Sequence, residues 1–428
     1  MCNGEIYNEQ YLKEYFSEYE YTPHSDCEVL LPLYLKYGPQ MGSYLDAECA
    51  FVIFDKELGI VVAGRDPLGI RPLFYGYLKS SGKIAFASEV KALIHICDDI
   101  KPFPIGTIYF NGKWIHYHDV KEVNYLISDE KSAVSKIKHK LVDAVKKRMM
   151  SDVPLGYLLS GGLDSSLVAA IGASFTSKPI VTFAIGMEHD AIDLKYAKIV
   201  SEHIGSKHYE VTMTFEEVLE ALPLVIYHLE TYDITTIRAS LGMYLLSKFI
   251  KEKTDIKVIL TGEISDELFG YKYTDFAPNA NAFQKESEKR LEELYEYDVL
   301  RADRCIAAWS LEARVPFGDL AFVKEVMSID PELKLNKSGK GKFLLRKAFE
   351  KDELIPDAIL WREKAAFSDA VGHSMVDQLK AYAEKLYTED DLNCAFMKYP
   401  NNTPFTKEAL WYRDVFESYF PNHSHLIT

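Results

Sequence analysis

The residues best equipped to do chemistry together stand in one stretch, Tyr157-Leu158-Leu159-Ser160-Gly161-Gly162-Leu163-Asp164-Ser165-Ser166. A short apolar run ends in Ser-Gly-Gly, and a helix-compatible segment, Leu167 to Ile171, follows at once. This order predicts a strand, a tight turn and a helix start, the geometry of an anion site. Adjacent glycines let backbone approach a ligand closely and aim successive N–H groups into one concavity. Ser160, Ser165 and Ser166 add hydroxyl donors, and the helix N-terminus adds its positive end. Asp164 conflicts with an anion unless a divalent cation shares the site. Mg²⁺ held by one carboxylate and by phosphate oxygens resolves that conflict. The stretch has no lysine of the G-x-x-x-x-G-K-[ST] kind, so it is expected to grip a different part of a nucleotide.

Three further groups carry chemistry. Thr261-Gly262-Glu263-Ile264-Ser265-Asp266-Glu267 follows a second buried run. Its carboxylates can hold Mg²⁺ or orient an acyl acceptor, although Ser265 followed by acids is also an ordinary helix start. Thr235-Thr236-Ile237-Arg238 reads as a polar connection between helices, where a guanidinium would stabilise charge on a transferring adenylyl group. The plain alternative is a helix cap with a surface arginine. Arg362-Glu363-Lys364-Ala365-Ala366-Phe367-Ser368-Asp369 offers more cations in a segment that alone reads as solvated charge. Near the N-terminus, Asn3-Gly4-Glu5-Ile6-Tyr7-Asn8 sets an amide beside a glycine N–H, suited to an oxyanion hole or to a simple turn.

The elements that must position these groups fall into two textures. Residues 1–125 read as a β-rich unit: Ala50 to Asp55 with Ile60 to Gly64, Leu73 to Tyr77 with Ile84 to Ser88, and Ile108 to Phe110 with Trp114 onward each flank a turn signal. A helix is predicted from about Cys27 to Tyr37, stopped by Gly38-Pro39. Clustered hairpins predict a sandwich of antiparallel sheets. The chain turns polar between about 120 and 132, and a second domain is predicted over 131–428. It opens on an amphipathic helix carrying Val134, Ile137, Leu141 and Val145. Strands at Tyr157, at Ile180 to Ile185, at His208 to Thr212 as an edge, and at Val258 to Thr261 then alternate with helices. That is the pattern of a doubly wound parallel sheet with ligand groups at the strand C-termini. Beyond about 282 the signals are helical, including Lys285 to Trp309 and Lys342 to Phe349.

Composition narrows the classes. At 428 residues and 48% hydrophobic, the chain can build two substantial cores. No apolar run approaches the roughly 18 residues of a membrane helix, and the N-terminus lacks a signal peptide's regions. Six cysteines at 2, 27, 49, 97, 305 and 394 show no metal-ligand spacing, which with no secretion signal predicts free thiols in the cytoplasm. A net charge of −15 argues against nucleic-acid partners.

The Ser160 stretch resembles the pyrophosphate loop of the ATP-pyrophosphatases. Taken with Asn3 to Asn8, Ser25 to Glu28, Gly64 to Gly69, Ala87 to Leu93, Thr235 to Ser240, Gly262 to Gly270, Ala313 to Phe317 and Arg362 to Asp369, in that order along the chain, it resembles glutamine-hydrolysing asparagine synthetase. The resemblance implies an α/β protein with an Ntn-hydrolase-like glutaminase domain and an ATP-pyrophosphatase domain, the cofactors ATP and Mg²⁺, and the substrates aspartate and glutamine or ammonia. It leaves a homodimer open. It implies glutamine contacts from Asn3, Gly4, Glu5 and Asp26, with Asn3 and Gly4 as the oxyanion hole. Leu159, Ile185, Thr261 and Gly262 match adenosine contacts. Ser160, Gly161, Gly162, Asp164 and Ser165 match the pyrophosphate loop. Glu263, Thr235, Thr236, Arg238 and Lys364 match residues serving adenylation, and Asp164 with Asp266 would hold the metal.

Departures set further expectations. The family begins Met-Cys, with that Cys as glutaminase nucleophile far along the chain from Asn-Gly-Glu, whereas here Met1-Cys2 directly precede Asn3. The first domain is therefore expected to be incomplete, its glutamine residues relics, and ammonia the nitrogen source. Ile264 stands where the family has Gly, a Gly is lost after Gly270, and Gly318 stands where a larger residue is usual. Two other readings remain open: a β-lactam-forming adenylating enzyme, and a decayed subunit that binds nucleotide without catalysis.

Overall fold

The computed structural model describes every residue except 23, 24, 124, 189–191, 272, 273, 275, 338, 364–372, 427 and 428. The chain divides into two compact units. One comprises Met1–Lys140, Asp266–Leu300 and Gly318–Leu335; the other comprises Leu141–Ser265, Arg301–Phe317 and Asn336–Thr428.

The first unit holds the expected antiparallel sheets. Strands β1 (Cys2–Ile6), β2 (Ala47–Asp55), β3 (Ile60–Arg65), β7 (Thr107–Phe110) and β8 (Lys113–His116) form a five-stranded sheet in the order β1-β2-β3-β7-β8. Strands β4 (Phe74–Leu78), β5 (Ile84–Ala87) and β6 (Cys97–Pro102) form a second sheet in the order β5-β4-β6. Period-two alternation gives the larger sheet two apolar faces. One face carries Ala50 and Ala63, packed with Leu73, Tyr75, Phe86 and Phe103 of the second sheet and its flanks. The other carries Ile6, Cys49, Phe51, Val62 and Ile108 against Leu12 of α1 (Glu9–Tyr15) and Leu30 and Leu33 of α2 (Leu30–Tyr37). Gly38 ends α2 at φ 54 and ψ −129, a positive-φ backbone that glycine makes cheap. The three hairpins lie where turn chemistry put them. Asn3-Gly4 in isolation predicts a turn, whereas register with Ala47 to Phe51 extends Cys2–Ile6 as strand β1 instead.

The second unit is a parallel sheet in the order β11-β10-β9-β12-β13, from β9 (Leu155–Leu158), β10 (Val181–Met187), β11 (Lys207–Met213), β12 (Val258–Leu260) and β13 (Glu312–Arg314). The chain runs outward through β9, β10 and β11, then returns past β9 to start β12. Its direction of growth therefore reverses between β9 and β12, which makes that crevice the switch point where ligands bind in such sheets. Helix α3 (Glu130–Arg148) precedes β9, and the connecting helices include α4 (Leu163–Ser174), α5 (Ile192–Ile204), α6 (Phe215–Leu229) and α7 (Ile234–Lys253).

Three expectations change. Thr235 to Arg238 are not a connection but the first turn of α7, because Asp233 caps the helix by accepting from the Thr236 N–H at 2.6 Å. The predicted helix from Lys285 to Trp309 is two helices, α9 (Ala280–Glu292) and α10 (Asp298–Ala307), separated by a short 3-10 turn at Leu294–Glu296; α8 (Ser265–Phe269) precedes them. Strand β13 lies inside the stretch read as helical: three residues with two charges carry no apolar run, and only the ladder with Val258 to Leu260 makes them a strand.

Candidate functional site

In the parallel-sheet unit the Ser160 loop leaves the C-terminal end of β9, and α4 begins at Leu163 with Gly162 as its cap. No side chain satisfies that cap, so the first turn of α4 keeps its donor character for an anion. Gly161 stands at φ 70, and a Cβ there would come within 2.5 Å of the Ala197 nitrogen. Only glycine permits both the turn and the approach to α5. A Cβ on Gly162 would meet nothing nearer than Ser160 Oγ at 3.3 Å, so that glycine opens a cradle. The loop is braced from within: the Ser160 N–H donates to Ser165 Oγ at 3.2 Å, and the two serine hydroxyls lie 3.0 Å apart.

The neighbouring loop after β12 lies against it. A Cβ on Gly262 would sit 2.7 Å from the Ser165 nitrogen and 3.1 Å from Asp164 Cβ, so glycine is what lets the two loops touch. Ser265, at the start of α8, donates to Asp164 Oδ1 at 2.7 Å. Leu159, Ile185 and Thr261 are buried at the ends of adjacent strands β9, β10 and β12, and Thr261 Oγ1 has no hydrogen-bond partner among the described residues. The structure therefore brings together Leu159, Ser160, Gly161, Gly162, Asp164, Ser165, Thr261 and Gly262, with Ile185 on the next strand.

Two cations from distant segments reach this loop. Lys342, preceding α11 (Phe343–Phe349), places Nζ 2.8 Å from both carboxylate oxygens of Asp164. Arg362 donates to the Gly161 carbonyl at 3.1 Å and to Asp193 at 2.8 Å, with its guanidinium 3.7 Å from the centre of the Tyr196 ring. Taken alone the sequence reads Arg362 as one cation in a segment of solvated charge, and the resemblance covers that segment without giving this residue a role. The sequence marks Lys342 only as the start of a helix, because Gly339-Lys340-Gly341-Lys342 resembles any solvated turn.

The remaining expected residues are placed less centrally. Glu263 is paired with Arg301 of α10 at 2.6 Å. Arg238 makes a bidentate pair with the buried Glu408, which also accepts from Tyr412 at 2.7 Å. Thr236 is buried and Thr235 exposed in the first turn of α7. Lys364 lies outside the described residues. Asp266 belongs to the first unit, as does Glu267, which is fully buried; burial, then Asp298 and Asp266, push its carboxyl well above the usual range. Among the described residues no cluster of three or more His, Cys, Asp or Glu has metal-holding geometry. A single carboxylate beside an anion cradle still fits Mg²⁺, which keeps its waters and shares phosphate oxygens.

In the antiparallel unit, Gly4 stands at φ 132 with a would-be Cβ only 1.9 Å from the Glu48 carbonyl oxygen. Asp26 Oδ2 accepts from the Ile6 N–H at 2.7 Å, tying the segment to β1 beside Gly4 and Glu5. Asn3 is exposed, and strand alternation sets it on the face opposite Cys2. Cys2 packs with Cys27 against the core that holds Cys49. Contact with the Cys27 thiol lowers the Cys2 pKa, but the Cys49 thiol and burial outweigh it and push the net value up. The Gly64 to Gly69 motif is architectural: Arg65 donates to the carbonyls of Arg71, Phe103 and Gly69, and Asp66 accepts from the N–H groups of Leu68, Ile70 and Arg71.

Comparison with known proteins agrees with this geometry. The family model described as asparagine synthase matches residues 136–282 and 274–426, and the model described as glutamine amidotransferase domain matches residues 1–128. The chain is 42% identical to asparagine synthetase B (glutamine-hydrolysing) of Escherichia coli (strain K12), over 98% of this chain and 78% of that protein. It is 42% identical to the asparagine synthetase (glutamine-hydrolysing) of Asparagus officinalis, over 99% and 74%. It is 41% identical to asparagine synthetase (glutamine-hydrolysing) 1 of Saccharomyces cerevisiae, over 98% and 81%.

Proposed function

The chain belongs to the glutamine-hydrolysing asparagine synthetases, and from that premise we infer how its own residues serve an ATP-dependent conversion of aspartate to asparagine. The observation that carries the reading is the meeting of two glycine-bearing loops at the switch point, Gly262 resting on the backbone of Asp164 and Ser165. Ser160, Gly162 and Ser165, with the uncapped start of α4, hold the pyrophosphate. Leu159, Ile185, Thr261 and Gly262 border the adenosine. Asp164 would hold Mg²⁺, which would neutralise phosphate charge there. Glu263, Thr235, Thr236, Arg238 and Lys364 serve the aspartate carboxyl and its adenylate, Arg238 and Glu263 being held in place by Glu408 and Arg301. Ammonia then displaces AMP.

The test is aspartate-dependent exchange of label between pyrophosphate and ATP. Asp164→Ala should abolish it, since the loop loses its carboxylate; exchange at the unaltered rate would refute the assignment. Exchange that does not depend on aspartate would instead favour another acyl acceptor.

For nitrogen, this polypeptide is proposed to use ammonia. A thiol amidase needs an accessible thiolate beside its oxyanion hole, whereas Cys2 packs into the core with a raised pKa and faces away from Asn3. Glutamate released from glutamine, and lost in Cys2→Ala, would overturn this. All six cysteines are free thiols, which supports the cytoplasm as the working compartment; among the described residues no helix is long and apolar enough to cross a membrane.

A further inference from the structure

The helix α12 (Lys407–Tyr419) packs on the start of α7, where Thr235, Thr236 and Arg238 stand. Glu408, Tyr412 and Phe416 recur every four residues, so they share one face of α12. All three are buried, at 4%, 0% and 2% exposure. Glu408 accepts from Arg238 Nε at 2.8 Å and also from Arg238 Nη2. The Tyr412 hydroxyl donates to Glu408 Oε1 at 2.7 Å. The Phe416 ring meets Tyr232 edge-on, centres 5.2 Å apart, directly ahead of the Asp233 cap of α7. Arg413 sets its guanidinium 4.4 Å from the centre of that same tyrosine ring. One helix therefore grips the Tyr232 to Arg238 segment at both ends.

A guanidinium is planar and carries its N–H donors in a fixed fork. Glu408 takes the edge formed by Nε and Nη2, which leaves the Nη1 hydrogens for a substrate oxygen. The Arg238 side chain is 19% exposed against 4% for Glu408, so the pair has a buried end and an open end. An unpaired arginine spreads over many rotamers, and ordering it when substrate arrives would weaken binding. Here the carboxylate orders it beforehand. We propose that Glu408 is a positioning residue for the aspartate subsite, fixing the plane of the Arg238 guanidinium so that it meets the aspartate carboxyl already oriented. Tyr412 supports it by holding Glu408 in turn. The inference rests on the reading that Arg238 serves aspartate and its adenylate. It adds to that subsite a helix 170 residues further along the chain.

The experiment measures aspartate-dependent pyrophosphate–ATP exchange by the full chain, with KM found separately for aspartate and for ATP. Glu408→Gln keeps the size of the side chain and one acceptor but loses the charge. It should raise the aspartate KM about tenfold and leave the ATP KM unchanged. A loss of structure alone would shrink the active fraction, lowering kcat with both KM values unmoved. In an Arg238→Lys background, which lacks the planar fork, Glu408→Gln should add nothing further, because its effect runs through the arginine. If Glu408→Gln fails to fold, Tyr412→Phe decides by the same cycle. It withdraws one hydrogen bond from Glu408 and should raise the aspartate KM about threefold. An unchanged aspartate KM in a folded variant, an equal rise in both KM values, or effects that add in the double variant overturn the proposal. If Arg238→Lys leaves the aspartate KM unchanged, the reading of Arg238 has failed, and the inference with it. If Arg238→Lys raises it and Glu408→Gln does not, the inference fails alone.

Discussion

Ile264 offers the sharpest test, because two large effects oppose each other there. It stands at φ 77 and is 1% exposed, between Glu263 and Ser265 in the loop that rests on the Asp164 turn. Left-handed backbone costs a residue with a Cβ about 1–2 kcal/mol, and a β-branched side chain suits it worst. Against that, truncating a buried isoleucine to alanine costs roughly 2–5 kcal/mol. Ile264→Gly should therefore lower global stability even while relieving strain, and stability alone would hide the relief. The pair Ile264→Ala and Ile264→Gly separates the terms, since both lose the buried side chain. At an ordinary helix or strand position glycine is less stable than alanine by roughly 0.5–1 kcal/mol. Here the strain relieved exceeds that entropy, so Gly should equal Ala or exceed it by up to about 1 kcal/mol. Urea unfolding with a common m-value measures the difference.

The activity of Ile264→Gly should move the other way from its stability relative to the unaltered chain. A relaxed loop frees Glu263 to settle over the reacting carboxyl, so Ile264→Gly should exchange pyrophosphate faster than the unaltered chain, and Ile264→Ala should not. Alanine more stable than glycine by 0.5 kcal/mol or more, together with equal exchange rates, would refute the reasoning.

Other consequences are read at single positions. Lys334 is fully buried, donates to Gln284 at 3.2 Å and to the Val326 carbonyl at 3.3 Å, and burial lowers its pKa to about 7. Between about pH 7 and its ordinary value the unfolded chain binds the extra proton, so this group's contribution to stability rises with pH across that window, by at most about 1.4 kcal/mol per unit. Lys334→Met should remove that rise in urea-unfolding free energy, and an unchanged pH profile would show the lysine to be ionised in the fold. Gly172 of α4 faces the buried Tyr157 ring, with a would-be Cβ 2.4 Å from its hydroxyl oxygen. Gly172→Ala should destabilise by about 1–3 kcal/mol through overpacking despite its better helix propensity, as a lowered urea midpoint. Arg362→Lys keeps the charge but loses the fork shared by Gly161 and Asp193, so it should weaken ATP binding by isothermal calorimetry where a solvated charge would not.

How much of this was legible in the sequence follows from where each signal is stored. The hairpins at 57–59 and 111–112 and the buried runs of β9, β10 and β12 are local, written in turn residues and apolar periodicity, and they fold as read. The Ser160 cradle is local too, since Gly161 and Gly162 meet their backbone demands within a few residues. Glu312–Arg314 carries no local signal and becomes a strand only by pairing with residues more than fifty positions away. The positive φ of Ile264 is equally hidden, because isoleucine predicts extended backbone and only the resemblance to a glycine position pointed to it. Lys342 shows the limit most plainly: 178 residues separate it from Asp164. Nothing in Gly-Lys-Gly-Lys distinguishes a solvated ammonium from one held in the cradle. Burial makes that distinction, since an ammonium withdrawn from water needs an acceptor, and Asp164 is the acceptor the fold supplies. A carboxylate that looked from the sequence like a metal ligand waiting for its ion is, in the folded chain, already half of an ion pair.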